Sequence, residues 1–329
     1  MAHTHRNRSA SAAPRLPSTA TATAVPRVCI SRRAVWWVAL AMASSSAGTP
    51  SSAAAVEVIP FENNDFLGVH KVLLVNAGVY MLEFLDLQRL GPVNESAETL
   101  WQMIRIVAQV FGDGGKHRDP KFHPYPARQI LSKESAKMRF DLLQMDGPLT
   151  KNEPAPPAGS CHVTAVDAAG NVATVLHSCM SLPWSNGLFT HGVTIVASGA
   201  HFARVMPGPG ERASVYVAPN IVMKGGVPIV ASGSPSGSLL QNIVQNYTNM
   251  LDFGVSIADS VNRPRFGNAY TPAGGALLAV EAGFRPDVRD AVRRRGIPLD
   301  TVNPQNFGMG SFEAIAIDPA TGLRSARPD

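Results

Sequence analysis

The chain has 329 residues, of which 45% are apolar and 16% are charged, and this composition excludes a disordered chain, a collagen and a protein with many membrane spans. Its formal charge of +5 belongs to the N-terminus, because residues 1–55 contain six arginines, no lysine and no acid. The remaining 23 basic residues face 24 acidic ones, so the charge balance does not indicate a nucleic-acid partner.

Residues 1–55 are a low-complexity tail, and three interpretations of it remain open. The apolar run at 34–43 follows Ser31-Arg32-Arg33, which is typical of a secretion signal with a twin-arginine character and of a periplasmic or secreted protein. The run is too short for a membrane span, which needs about 20 residues. An organelle transit peptide has the same Arg-rich, acid-free composition. A start codon assigned too early would instead make the tail non-native and leave a cytoplasmic protein.

Residues 56–159 have helical periodicity. Apolar side chains recur at helical spacing between Leu100 and Phe111, after the capping side chains of 94–96, and a second helix is expected over 127–144. The Pro-rich stretch 148–159 predicts an exposed linker that ends at Gly159.

The period becomes strand-like after Gly159. Two β-rich runs, 161–167 and 171–177, flank a turn at Gly170 and predict a hairpin. Further strands are expected at 193–197, 215–223 and 227–232, with a last strand at 312–317. Helices are expected from about Ser238 to 251, at 257–262 and at 287–295. This order predicts an α+β architecture.

Several motifs resemble the gamma-glutamyltransferase family in the order in which they occur. The residues from Gly159 to Asn171 resemble the start of that family's small subunit. Residues 220–226, 251–254, 258–266 and 313–318 resemble later parts of it, and the loop Gly233-Ser234-Pro235-Ser236-Gly237-Ser238 resembles its Gly-rich loop. Residues 82–87, 119–122 and 131–134 resemble the end of its large subunit. The resemblance covers residues 70–329.

The resemblance implies an N-terminal-nucleophile hydrolase with an αββα sandwich, in which this chain lacks the N-terminal part. It divides the chain into the tail, a large-subunit end at 56–159, and a small-subunit-like catalytic domain at 160–329. A core built from both subunits implies exposed sheet surface in this chain, so we expect self-association or pairing with a missing N-terminal segment.

The resemblance also implies self-cleavage between Gly159 and Ser160. Cleavage would free the α-amine of Ser160, which titrates near pH 8 and can act as the base for the hydroxyl of the same residue. Cys161 is the rival nucleophile by reactivity, but its neighbouring position in the strand turns it to the opposite face. Ser178 aligns with a second family hydroxyl that would bond the amine.

The Gly-rich loop precedes a predicted helix, so the backbone N–H groups of Ser236 and Gly237 are the candidate oxyanion hole. A phosphate-binding loop is the alternative, but the loop lacks the lysine of that motif. His162 matches the family histidine and is assigned an orienting role beside the substrate.

The substrate positions depart from the family pattern. His201 follows Ala200 where the family has an acidic pair, and Tyr216 lies near the place of its paired serines. The acyl group is therefore expected to be γ-glutamyl or a related neutral or aromatic group on a small-molecule amide. We expect no cofactor.

Two other functional classes remain as alternatives. A metal hydrolase would use His177, His191 and His201, but no pair of them has a ligand spacing with a supporting carboxylate. A truncated, inactive homologue would act as an interaction protein or be a gene fragment.

Overall fold

The structure is a computed structural model that describes residues 38–39, 78, 80–114, 122, 127–130, 132–145, 160–178, 189–194, 208–211, 219–224, 227–235, 238–270 and 276–327. In these residues helices and mixed sheets alternate, which confirms the α+β class.

Among the described residues, residues 78 and 80–82 are helical, and four further helices follow before the first long strand. They are α1 (Leu87–Leu90), α2 (Ala97–Gly114), α3 (Ala127–Ile130) and α4 (Lys133–Gln144). The single helix expected over 127–144 is therefore wrong: it is two helices. The break occurs because the Ser132 side chain caps α4 by accepting a hydrogen bond from the N–H of Ser135 at 3.0 Å.

In the described residues of the C-terminal half, three further helices alternate with the strands. They are α5 (Leu239–Tyr247), which continues as a π-helical turn at Thr248–Asp252, α6 (Ile257–Asn262) and α7 (Pro286–Arg294). A 3-10 turn spans Phe307–Met309. These positions agree with the helices expected from the apolar periodicity.

The strands form four sheets within the described residues. The largest, the central sheet, has the order β1 (Val38–Ala39), β6 (Asn220–Lys224), β7 (Val227–Gly233), β11 (Glu313–Ile317) and β12 (Arg324–Arg327). A hairpin joins β2 (Ser160–Val166) to β3 (Val172–Ser178). The others are β4 (Phe189–Thr190) with β5 (Val193–Thr194), and β10 (Asp300–Val302) with β9 (Ala276–Glu281) and β8 (Phe266–Tyr270).

The central sheet is covered on both faces, because alternate residues of a strand point to opposite sides. Val222 and Val230 belong to the main core with residues of α2, α5, α6 and α7. Ile221 and Ala231, one position along each strand, face the other way and contact Val172 of the hairpin. The result is a helix layer, the central sheet and the β2–β3 hairpin stacked in that order.

Helix α5 lies inside the molecule, and every one of its residues is buried. Two of its polar side chains are hydrogen-bonded to neighbouring elements. Gln245 donates to the carbonyl of Phe266 at 3.0 Å and accepts from the N–H of Phe266 at 3.1 Å. Asn246 accepts from the Ser260 hydroxyl at 2.7 Å. These bonds fix α5 against β8 and α6.

Candidate active site

Ser160 is the first residue of β2, and the antiparallel register places Ser178 directly opposite it. The hairpin forms because Gly170 adopts a positive φ of 82° at the turn, where a side chain would be strained. Opposite residues in such a ladder have Cα atoms about 4.5–5.5 Å apart. The fold therefore brings the two hydroxyl-bearing residues together.

Residues of β2 alternate between a covered and an open face. Cys161 is exposed and is a free thiol, whereas His162 is buried against the central sheet and Ser160 is half-buried. Cys161 thus lies on the opposite side of the strand from Ser160 and His162, as the two-residue period predicts.

His162 contacts polar groups at both ring nitrogens. Its Nδ1 lies 3.3 Å from a carboxylate oxygen of Glu313. Its Nε2 lies 2.7 Å from the hydroxyl of Thr174 and 3.0 Å from that of Thr164. The Thr174 hydroxyl also lies 3.3 Å from the Ser232 carbonyl oxygen, so the ring joins β2, β3, β7 and β11.

Burial lowers the pKa of His162, and the nearby Glu313 carboxylate opposes this effect. The imidazole is therefore neutral near pH 7 and has one N–H. The Glu313 carboxylate can only accept and faces Nδ1, so its charge favours a proton on this nitrogen, although the 3.3 Å contact does not have hydrogen-bond geometry. Nε2 then accepts from the Thr164 hydroxyl, since Thr174 donates to the Ser232 carbonyl. This proton position is assigned from the contacts of the ring.

Gly233 allows the imidazole to lie against the end of β7. A Cβ atom at this position would lie 2.3 Å from His162 Cδ2 and 2.6 Å from Nε2, far inside van der Waals contact. Gly233 is also the first residue of the Gly-rich loop, so His162 touches both the strand of Ser160 and the start of that loop.

Asn242 of α5 anchors the residue that follows Gly233. It is fully buried and donates to the Ser234 hydroxyl at 3.0 Å, to the Met309 carbonyl at 3.1 Å and to the Ser311 carbonyl at 3.3 Å. Ser234 in turn donates to the carbonyl of Ser311. The start of the Gly-rich loop is thereby joined to the segment that leads into β11.

The other end of the loop is held by Ser238, which precedes α5. Its hydroxyl accepts from the N–H of Asn268 at 2.7 Å and donates to the carbonyl of the same residue at 2.8 Å. Gly267 makes this approach possible, since a Cβ there would lie 2.5 Å from the Ser238 oxygen.

A buried ion pair supports the segment before β11. Arg265 donates to Glu281 at 2.9 Å, and both side chains are almost completely buried. Glu281 also accepts from the N–H of Asn306 at 2.9 Å, and Arg265 donates to the carbonyl of Gly310. The pair therefore holds the segment 306–310 at both ends.

Several predicted site residues lie outside the described part of the chain: Gly159, Ser236, Gly237, His201 and Tyr216. For Ser178 and His177 the backbone is described but not the side chain. Of the predicted residues, the structure thus brings together Ser160, His162 and the backbone of Ser178.

Sequence reasoning missed Glu313, Thr164 and Thr174 as site residues. Thr164 and Thr174 are cross-strand partners on the same face of the hairpin as His162. The predicted turn at Gly170 sets this register, so both residues could have been found from the sequence. Glu313 had no such local signal, because it reaches His162 only through the pairing of β11 with β7.

Neither a metal cluster nor a membrane-spanning helix occurs in the described residues. These contain no group of three or more His, Cys, Asp or Glu side chains arranged to hold a metal ion. No helix among them has the length and apolarity to cross a membrane.

The architecture places the chain in the N-terminal-nucleophile hydrolase fold class. The crystal structure of a cephalosporin acylase from Bacillus halodurans has a similar fold, with a TM-score of 0.62 and 21% identity. The match covers 79% of this chain and 47% of that one.

The family is shown by the sequence comparisons. A family model described as Gamma-glutamyltranspeptidase matches residues 71–329, so the chain belongs to the gamma-glutamyltranspeptidase family, as its motifs indicate. It is 25% identical over 290 residues to the glutathione hydrolase proenzyme of Escherichia coli (strain K12), covering 79% of this chain and 47% of that protein. It is 25% identical over 283 residues to that of Pseudomonas sp. (strain A14), covering 76% and 48%. The chain spans about half the length of these relatives.

Proposed function

We propose that this chain is a gamma-glutamyltransferase-like amide hydrolase or acyltransferase that cleaves itself after Gly159 and then uses Ser160 as its nucleophile. The observation that carries the proposal is the position of Ser160. Ser160 is the first residue of β2 and pairs with Ser178 of β3. Two residues further along β2, His162 contacts Gly233 at the beginning of the Gly-rich loop.

Self-cleavage would begin with attack of the Ser160 hydroxyl oxygen on the carbonyl carbon of Gly159. The Ser160 nitrogen leaves with the hydroxyl proton, and an ester joins Gly159 to the Ser160 oxygen. Water then hydrolyses this ester, which leaves a carboxylate on Gly159 and a free hydroxyl and amine on Ser160.

Turnover would repeat this chemistry on an amide substrate. The freed α-amine takes the proton of the Ser160 hydroxyl as its oxygen attacks the substrate carbonyl, and Ser178 would hold this amine by a hydrogen bond. Backbone N–H groups of Ser236 and Gly237 would stabilise the oxyanion. The leaving amine takes the proton, and water or an acceptor amine then removes the acyl group from Ser160.

The proposed substrate is a small-molecule amide with a γ-glutamyl or related acyl group. The positions that would recognise this group depart from the family pattern, since His201 and Tyr216 stand at or near its acidic and serine positions. An α-amine or α-carboxylate that is buried without a partner costs about 1–3 kcal/mol. We therefore expect γ-glutamyl-p-nitroanilide to be hydrolysed more slowly than its des-amino analogue, glutaryl-p-nitroanilide.

A second candidate is an inactive homologue that acts as an interaction protein. It is favoured by the open face of the hairpin, where the cross-strand partners Val163 and Val175 are 59% and 56% exposed. Self-association through this face, or pairing with a segment equivalent to the other half of the relatives, would cover it.

The tail at 1–55 supports a periplasmic or secreted location.

Intact mass spectrometry of the purified full chain separates the two candidates. If the chain is the proposed amide hydrolase, the spectrum should show two pieces, the second beginning at Ser160. Ser160→Ala should leave one piece with no amidase activity. Cys161→Ala is the matched control and should cleave normally. A wild-type chain that stays in one piece yet hydrolyses either anilide, or a cut before Cys161, would contradict the mechanism. An uncut chain without activity would support the interaction protein.

A further inference from the structure

We infer that Glu313 is a positioning residue of the Ser160 site. Its carboxylate keeps His162 in the tautomer that carries the proton on Nδ1. The ring held in this way sets the distance between β2 and the start of the Gly-rich loop. This inference rests on the proposed function of Ser160 and adds to it a residue that does not touch substrate.

The first step is the isolation of His162 from other charges. Its side chain is almost completely buried, and the groups that reach it from β2, β3 and β7 are the Thr164 and Thr174 hydroxyls and the Gly233 backbone. Among the described contacts of the ring, Glu313 of β11 supplies the only formal charge. The Glu313 carboxylate therefore decides which ring nitrogen carries the proton.

The second step is the support of the carboxylate. Ser311 donates from its hydroxyl to one oxygen of Glu313 at 3.2 Å. The other oxygen faces His162 Nδ1 at 3.3 Å, a close ionic contact that is not aligned as a hydrogen bond and that acts on the ring through its charge. Ser311 belongs to the segment anchored by Asn242. The carboxylate thus has a fixed place relative to the same segment that anchors Ser234.

The third step is the contact of the ring with the loop. Gly233 lies against the Cδ2–Nε2 edge of the imidazole, and this edge would tilt if Nε2 became the donor and Nδ1 turned from the carboxylate. His162 is two residues from Ser160, and Gly233 is the residue before Ser234. A change of tautomer would therefore move the Ser160 strand relative to Gly233, where the Gly-rich loop starts.

The test combines a spectroscopic and a kinetic measurement on the full chain. Nitrogen-15 NMR of labelled histidine, assigned with His162→Asn, should show Nδ1 protonated and Nε2 unprotonated at pH 7.5. Glu313→Gln should give a mixture of the two forms, because an amide can donate or accept. It should also slow self-cleavage and lower kcat about tenfold with little change in KM, which is the lower end of the loss seen when the partner that orients a metal-binding histidine is removed.

Glu83→Gln is the matched control. The Glu83 side chain is 29% exposed, close to the 30% of Glu313, and its partner Lys133 lies 2.9 Å away in a helical region. This variant should keep the wild-type tautomer and rates. Glu313→Asp, which retains the charge, should recover part of the Nδ1–H population.

Three results would overturn the inference: an Nε2–H form in the wild type, an unchanged tautomer in Glu313→Gln, or rates for Glu313→Gln equal to those of Glu83→Gln. The wild-type tautomer is decisive even if Glu313→Gln does not fold. Failure of the proposed function has a different signature, because an uncut and inactive wild type refutes the role of Ser160 whatever the tautomer of His162.

Discussion

At Gly233 the absence of a side chain is a structural requirement, because the imidazole of His162 occupies the space that a Cβ would need. The conflict involves the ring itself and the backbone of β7, neither of which can move freely. We expect Gly233→Ala to lower the free energy of unfolding by about 1–3 kcal/mol and to slow self-cleavage. Urea unfolding followed by circular dichroism measures the first effect.

Gly78→Ala is the control for this substitution. A Cβ at Gly78 would lie 3.8 Å from the nearest side-chain atom, Cγ2 of Val110, which is an ordinary contact. Because Gly78 is helical, alanine there should leave the stability unchanged or raise it by about 0.5–1 kcal/mol. Equal unfolding midpoints for Gly233→Ala and the wild type would show that His162 does not lie against β7.

Helix α5 holds the segment before β11 through the side-chain amide of Asn242. Asn242→Ala would leave the carbonyl of Met309 without this donor and remove one from Ser311. Unsatisfied buried groups cost about 1–3 kcal/mol, and a loss of that size is expected in urea unfolding. Asn262→Ala, which removes an exposed bond to Ala258, should cost less than about 0.5 kcal/mol. Equal losses would mean that Asn242 does not anchor the segment.

The π-helical turn after α5 contains a carboxyl group whose ionisation opposes folding. Burial raises the pKa of Asp252 from 3.8 to about 7, so the unfolded chain releases this proton at lower pH than the folded chain. The stability contributed by Asp252 is full below pH 4 and is lost as the pH rises to 7.

Asp252→Asn should therefore raise the Tm at pH 8 by about 2–4 °C for each 1 kcal/mol recovered, and should change it little at pH 4. Calorimetry at the two pH values measures the difference. Because the wild type and the variant both contain His162, the effect of its titration on the Tm cancels in the comparison. Asp300→Asn is the exposed control and should change the Tm at pH 8 only slightly. A gain at pH 4 as large as at pH 8 would contradict the assigned burial.

Elements with strong local signals were predicted from the sequence, and the hairpin is the clearest. Alternating β-branched residues on either side of Gly170 predicted it, and the helices expected at 257–262 and 287–295 are α6 and α7. Strand β9 was missed because Ala276–Glu281 is rich in Ala and Leu, which favour helix. Strand β8 was missed because Gly267 interrupts its pattern. Glycine is required there because a side chain would collide with Ser238, which is distant in sequence.

The strand expected at 312–317 is present as β11, but it is not the last strand. Strand β12 follows it at the sheet edge with two arginines. Charged residues are common on edge strands, and such a segment has no apolar pattern. Of the candidate site, the Ser160 strand and the opposite Ser178 followed from local pattern and family resemblance, whereas the Glu313 contact depends on tertiary pairing.

In the whole molecule, the layer order leaves one face of the β2–β3 hairpin open in the described residues. Val163 and Val175 are cross-strand partners on this face, and a sheet surface of this kind favours association. Replacing both by Thr should lower the apparent mass of the full chain in light scattering at micromolar concentration.

Val227→Thr is the control for the open face, since Val227 is 45% exposed on β7 of the central sheet. It should leave the apparent mass unchanged. A wild type that is monomeric over the whole concentration range would show that the hairpin face does not mediate self-association.

The central claim is that Ser160 forms the acyl-enzyme, and peptide mass spectrometry tests it most directly. The cleaved protein is mixed with glutaryl-p-nitroanilide, quenched in acid during turnover and digested. We predict a glutaryl group on the N-terminal peptide that begins at Ser160, localised to the Ser160 oxygen and retained in Cys161→Ala. A glutaryl group on the Cys161 sulfur, or turnover with no covalent intermediate on Ser160, would contradict the account.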